Sequence, residues 1–432
     1  MTAAESKVSS MTAEGEIAAS FANVRANLPG AGWMQPLRAE ALARVMRDGL
    51  PHKRLESWKY TDFRGKFVGG LATAAGVEHS GEQLFDRLKC HRVEINGGKT
   101  MSVPATASCQ DGLEILNLAE VLAMPSLWLR QWLQPSELVM ENLNLAFASG
   151  GVLIRIGRGV KVDRPVVLRS LLSEAGTTAH TRAVVALEEG AELTLIEVDD
   201  GCVEQQCLST AVTSFVLEPG ARLGHLRVSA RQGAHLVMRQ DFVELERDAS
   251  FESVIVSSGA ALARQQMHAR LAGSGASFDL ACAYAAGDSQ HTDYTLEGVH
   301  ESAHTTSRIL AKGVASGSGR GVVQGKVIVR PEAQKSDSHQ MLRGLLLSPG
   351  AEIDQKPELE IFADDVKCGH GATIGSIDAN QLFYLRSRGI PEQEARGMLV
   401  SAFMGEIAQR IPDAYRDEVE HWLASRMKGL AL

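Results

Sequence analysis

The residues with the best-defined chemical potential stand near the C-terminal end of this 432-residue chain, in Asp364-Asp-Val-Lys-Cys368-Gly-His370-Gly-Ala-Thr. Two residues apart on a strand, Cys368 and His370 project from one face, so a thiolate and an imidazole there could bind one metal together. Two ligands make half a site. A cysteine and a histidine at this spacing are weakly specific, and a buried structural thiol beside a solvated histidine explains them as well. No other cysteine or histidine cluster has closed metal-site spacing, so a second chain would have to complete the set.

The remaining titratable residues carry less. His291, His300, His304 and His339 are scattered and read as polar surface positions. Carboxylates are plentiful, which leaves a paired-acid glycosidase open on spacing alone, with solvated edges as the plainer reading. There is no G-x-S-x-G elbow. Gly321-Val-Val-Gln-Gly-Lys326 is too short for a phosphate loop and has Val327 where a hydroxyl is needed. Any nucleotide hydrolysis must therefore happen on another subunit.

The elements that must position these residues announce themselves by repetition. Leu187-Glu-Glu-Gly190-Ala-Glu-Leu193 returns as Leu217-Glu-Pro-Gly220-Ala-Arg-Leu223, as Leu245-Glu-Arg-Asp248-Ala-Ser-Phe251 and, later, as Leu347-Ser-Pro-Gly350-Ala-Glu-Ile353. With looser copies at Gly159 and Gly275, turn positions 159, 190, 220, 248 and 275 lie 31, 30, 28 and 27 residues apart, a solenoid period. Between them residues alternate, as in Ala191–Val198 and Ala221–Val228, so strands fill each period. Each period is then one coil of a parallel β-helix, which buries its apolar face only by stacking on neighbours. Gly313-Val-Ala-Ser-Gly-Ser-Gly-Arg-Gly321 breaks the rhythm and reads as a surface loop.

Helices are expected at both ends. Ile17, Phe21, Val24 and Leu28 recur at helical spacing, and so do Leu37, Ala41, Val45 and Met46 before Gly49. Between Pro51 and Arg64 lies a dense polar and aromatic segment, and from there to about residue 145 the periodicity is weak. Beyond residue 376, Asp378 caps a helix that Gly389 ends, and Pro391 opens a second with Ala395, Met398, Leu399, Ala402, Phe403 and Ile407 on one face. A third follows Asp413, with Tyr415, Val419, Trp422, Leu423 and Met427. The expected domains are 1–145, helical and mixed; 146–375, β-helix; and 376–432, helical. In Leu382-Phe383-Tyr384-Leu385-Arg386-Ser387-Arg388-Gly389, an aromatic pair and two arginines share one short helix, a composition suited to docking a partner and also to plain packing.

Composition limits the partners. The chain is 44% hydrophobic and 22% charged with a formal net charge of −8, so neither nucleic acid nor an anionic membrane is an expected partner. The N-terminus lacks the profile of a secretory signal, no apolar run reaches a bilayer-spanning length, and six dispersed cysteines show no disulfide framework, all of which points to a cytoplasmic protein with reduced thiols.

Four segments share a further property: Arg54-Leu-Glu-Ser-Trp-Lys-Tyr-Thr-Asp62; Lys335-Ser-Asp-Ser-His-Gln340 with Leu345-Leu-Leu-Ser348; Lys356-Pro-Glu-Leu-Glu-Ile361 through Ala372; and Leu382–Gly389. In this order they resemble the SufB/SufD family of iron–sulfur cluster assembly scaffold proteins over about residues 50–410. The absence of the N-terminal C-x-x-C cluster common on the SufB side favours the SufD side. The resemblance implies a right-handed parallel β-helix between helical domains, mainly β with α ends. It also implies no catalysis by this chain alone and a complex with SufB and two copies of the ATPase SufC. SufC would dock at roughly Asp378–Ile407, with Leu382, Phe383, Tyr384, Arg386, Arg388, Gly389, Met398 and Phe403 as docking residues. Cys368 and especially His370 would be ligands of a transient Fe–S cluster shared with SufB, and the isolated chain could pair with itself. From another class, a carbohydrate-active β-helix enzyme would need an export signal and an acidic or aromatic cleft, and neither is read here.

Overall fold

The structure, a computed structural model, describes residues 12–30, 32–69, 71–76, 84–105 and 109–428. The polar N-terminus 1–11 and the side chain of Met427 lie outside the described residues.

Eight coils stack into a parallel β-solenoid with two sheets. Each coil gives one strand to each sheet: Gly150–Ile156 and Val166–Leu171 in the first, then Thr177–Leu187 and Glu192–Asp200, Cys202–Leu217 and Arg222–Ser229, and Gln232–Leu245 and Ser250–Ser258. The second half continues with Ala260–Leu271 and Ser277–Ala286, His291–His300 and Thr306–Ala315, Arg320–Val329 and Asp337–Leu346, and finally Glu352–Ile361 and Lys367–Ser376. The weakly periodic region before the coils contributes short strands. His91–Asn96 runs parallel beside Val166–Leu171, and Leu113–Asn117 lies antiparallel on Gly150–Ile156.

The repeated turn works because one residue per coil adopts the left-handed region. Gly159, Gly190, Gly220, Asp248 and Gly275 have φ between 60° and 76°. Glycine enters that region without steric cost and Asp tolerates it. The series runs on at His304 (φ 61°) and Lys335 (φ 65°), where no glycine marks it. Each of these N–H groups donates to a carbonyl of the next coil at 2.6–3.3 Å, so the corners are stitched as regularly as the sheets. Gly350 belongs elsewhere: it turns from the second sheet back to the first, at the opposite corner, so its phrase copies the others in letters and not in place.

The proposed loop at Gly313–Gly321 does not exist. Gly313 ends deep in the strand Thr306–Ala315, Ser316–Gly319 is a tight turn, and Arg320 starts the next strand. Both outer glycines leave room for the fully buried Tyr284 ring.

The lumen is mostly apolar, with Leu193, Leu223, Phe251 and Phe278 stacked in one row and Leu187, Leu217, Leu245 and Leu271 in another. Towards the far corner of the second to fourth coils it turns ionic. Arg227 joins Glu197 (2.5 Å) and Asp241 (2.6 Å), and Arg239 joins Glu197 and Asp199, all with almost no exposure. Burial alone would raise the Glu197 carboxyl, but Arg227 and Arg239 hold it well below the usual carboxylate range. Such a network is costly to break from one side.

Helices cover both outer faces. Ala13–Val24, Met34–Asp48 and Val139–Phe147 pack with Val184, Leu208, Leu236, Met238 and Leu262 of the first sheet. Glu392–Ala408 and Asp413–Lys428 place Val400, Met404, Ile407, Val419, Trp422 and Leu423 on Val198, Leu226, Val228, Val254 and Val256 of the second. Among the described residues no helix is long and apolar enough to cross a membrane.

Candidate functional site

Cys368 and His370 lie on the last strand, Lys367–Ser376, paired on one edge only with Asp337–Leu346. Their register partners there are Ser338 and Gln340, which are buried in the lumen. In-register parallel strands share side-chain direction, so Cys368 and His370 share a face as expected, but that face belongs to the lumen wall and not to the outside of the rod. Because this is the terminal coil, the wall is open on one side: Cys368 is half-buried against the core and His370 is exposed.

Burial pushes the Cys368 thiol up, and a backbone hydrogen bond from Ser338 works in the other direction. Beneath His370, Gln340 crosses the lumen and donates to the Glu358 carbonyl at 3.0 Å, through space that Gly325 leaves free. The buried Gln340 Oε1 has no partner. Among the described residues no three histidine, cysteine or acid groups come together as a metal site. The site is thus a thiol and an imidazole on an open edge, chemically suited to share a thiophilic metal and unable to enclose one, while the Gln340 amide oxygen stays buried beside Gly325 in the coil beneath.

Both terminal strands, Glu352–Ile361 and Lys367–Ser376, leave one edge unpaired, and Ile361, Phe362 and Ile374 are exposed beside them. An apolar, unpaired edge is a template for another strand.

The helix Ala379–Ser387 follows directly. Asp378 accepts from the Asn380 and Gln381 N–H groups at 2.8 and 3.0 Å, and Gly389 (φ 87°) ends the turn. None of its residues is buried; Phe383 is 73% and Tyr384 57% exposed. Arg388 lies 5.2 Å from the Tyr384 ring centroid and Arg386 3.2 Å from Glu392. Leu382 is half-buried, and Met398 is exposed on the next helix. Phe403 is engaged inside the molecule: Lys312 of the solenoid lies 4.7 Å from its ring, bonds its carbonyl at 2.7 Å and pairs with Glu406 at 2.6 Å.

The polar and aromatic segment after Pro51 straps the N-terminal helices to the first sheet. Arg264 lies 4.1 Å from the Trp58 ring and donates to the Ser57 carbonyl at 2.6 Å. Thr61 donates to Asp293, the ion-pair partner of Arg264, and meets His291 Nε2 at 3.1 Å. His291 and His300 are therefore buried, contrary to their reading as surface residues, because hydroxyl partners satisfy them. Beside the strap a cleft of about 880 Å³ contains Trp58, but each of its carboxylates is in an ion pair: Asp48, Glu56, Glu137, Glu297 and Glu358 meet Arg47, Lys356, Arg44, His268 and Lys356. A free acid pair for sugar hydrolysis is not among them.

Residues 170–403 match the family model described as "SUF system FeS cluster assembly, SufBD core domain". That span covers every coil from the second onward, the open edge, the helix Ala379–Ser387 and most of Glu392–Ala408. This chain belongs to the SufBD family. The iron-sulfur cluster assembly protein SufD of Escherichia coli is 29% identical over 403 residues, covering 91% of this chain and 93% of that protein. The chloroplastic protein ABCI7 of Arabidopsis thaliana is 32% identical over 288 residues (65% of this chain, 60% of that one), and a SufBD family protein of Synechocystis is 29% identical over 387 (84% of each). Within the SufBD family the chain is SufD-like, and the family's core domain takes in its coils from the second onward.

Proposed function

We propose that this chain is a scaffold subunit of SufD type that pairs with SufB through its last coil, receives the ATPase SufC on the helices from Ala379 to Ala408, and offers Cys368 and His370 to an Fe–S cluster assembled between it and SufB. The observation that carries the reading is the pair itself: two soft-metal donors on one face of an unpaired terminal strand, incomplete without donors from a second protein. The cluster is cargo, built there and handed on. SufC supplies nucleotide hydrolysis, and this chain contributes position and no turnover of its own. A pair of identical chains can use the same edge when SufB is absent. We place this work in the cytoplasm, where six free thiols stay reduced.

The test is co-purification with SufB and SufC followed by anaerobic iron and sulfide analysis, for the native sequence and for His370→Ala. Retained complex with lost cluster supports the proposal. A full cluster in His370→Ala removes His370 from the ligand set, and failure to form any complex with SufB removes the scaffold role.

A further inference from the structure

Three rows of the lumen change character together as they approach Cys368. The first reads Leu187, Leu217, Leu245 and Leu271, becomes polar at His300 and returns to Val329 in the next coil. The second reads Leu193, Leu223, Phe251, Phe278 and then Ser307, Ser338 and Cys368. At the corner, Ala221, Ala249 and Ala276 give way to Thr305 and Ser336. An apolar lumen has no need of hydroxyls, and here five polar side chains, each at most 1% exposed, replace leucine, phenylalanine and alanine in the coils that lead to the site.

They form one hydrogen-bonded seam. His300 Nδ1 lies 2.8 Å from Thr305 Oγ1 and Nε2 2.8 Å from Ser307 Oγ; Ser307 Oγ lies 2.7 Å from Ser338 Oγ, and Thr305 Oγ1 2.8 Å from Ser336 Oγ. The proton positions follow. Thr305 gives its single proton to the Ser302 carbonyl at 3.0 Å, so it accepts from His300 Nδ1–H. Burial keeps His300 neutral, its pKa lowered to about 4, so bare Nε2 accepts from Ser307. Ser307 then accepts from Ser338. With its proton turned back into the seam, Ser338 is fixed in the lumen, and its backbone bonds the sulfur of Cys368, its register partner on the next coil.

We infer that His300, Ser307 and Ser338 are positioning residues for Cys368: the seam locks Ser338 in place, and Ser338, through its backbone bond to the sulfur, holds the thiol on the lumen side of the terminal strand that also carries His370. The inference rests on the reading of Cys368 as a cluster ligand. Fully paired buried networks of this kind fix one arrangement where a purely apolar contact would allow several.

The test measures alkylation of each cysteine by iodoacetamide in the full-length protein at one fixed pH, resolved by peptide mass spectrometry. Ser307→Ala removes the partner of Ser338 in the seam and leaves residues 338 and 368 themselves unchanged. It is expected to speed labelling of Cys368 roughly fivefold, the factor that one net hydrogen bond is worth. Buried Cys207 and Cys282 should keep their rates, and Ser307→Thr should restore the slow one. Acceleration of all three cysteines alike assigns the seam to general stability and overturns the inference, as does an unchanged rate at Cys368. The readout reports where the sulfur sits whether or not iron binds. Full cluster assembly by Cys368→Ser would therefore sink the ligand reading while leaving the positioning result intact.

Discussion

Tyr284 and Gly313 are register partners on adjacent coils, and the tyrosine ring occupies the volume that a side chain at position 313 would need. Gly321, across the lumen, leaves room for the same ring. Gly313→Ala should therefore overpack the lumen and lower unfolding free energy by roughly 1–3 kcal/mol. Gly298→Ala, where an added Cβ meets nothing within 4 Å, should leave it nearly unchanged. Urea midpoints for the two variants decide the matter; equal midpoints would remove the steric account.

Acid should weaken the fold well before carboxylates titrate. Burial lowers His180 and His235 to about 3 and His291 and His300 to about 4. Unfolded histidines take up protons from about pH 6.5 downward, so the unfolded state gains protons that the folded state refuses, and stability is lost as pH falls from about 6.5 towards 4. Each histidine contributes up to about 1.4 kcal/mol per pH unit in that window. Denaturant midpoints at pH 7.5, 6 and 5 should fall in that order, and a flat profile would contradict the burial of these rings.

Removing the strap's anchor should cost more than a surface change. Arg264→Ala leaves Asp293 buried and without its guanidinium, an expected loss of about 3–5 kcal/mol. Because Trp58 and Ser57 also lose their partner, limited proteolysis should cut between Pro51 and Thr61 first. Resistance of that segment in the variant would show that the strap holds by other means.

On the docking helix the expectation is opposite. Phe383→Ala and Tyr384→Ala touch no core, so melting should change by less than about 0.5 kcal/mol. Binding to SufC, followed by calorimetry, should weaken at least tenfold if these rings are the anchors of the proposed interface, as buried aromatic anchors commonly are. Unchanged affinity would move the interface elsewhere.

What could be read from the letters was whatever is periodic or local. Coil corners showed because Gly190 and Gly220 must be glycine-like at a fixed interval, and the helix after Asp378 showed because its cap lies within three residues of its partners. The series faded at His304 and Lys335 because backbone geometry alone, with no diagnostic residue, maintains the turn there. The Gly313–Gly321 stretch looked like a loop because its cause, Tyr284, is a coil away. The seam under Cys368 and the Glu197–Arg227–Asp241 network were invisible for the same reason: each needs the stacking register before its members become neighbours. The same-face relation of Cys368 and His370 followed from strand alternation, but whether that face was lumen or exterior depended on Ser338 and Gln340 one coil earlier.

The two ends of the rod are unlike. At the first coil, short strands run in reverse, Leu113–Asn117 against one sheet and Lys99–Ser102 at the margin of the other, while the last coil ends in two long strands that continue the common direction. On the proposal that the last coil is the interface with SufB, pairing through it consumes the one end whose strands continue the common direction, so association by strand stacking stops at two and does not propagate into a filament. On that proposal, the aggregation hazard of a stacked β architecture becomes a device for counting strand-paired partners.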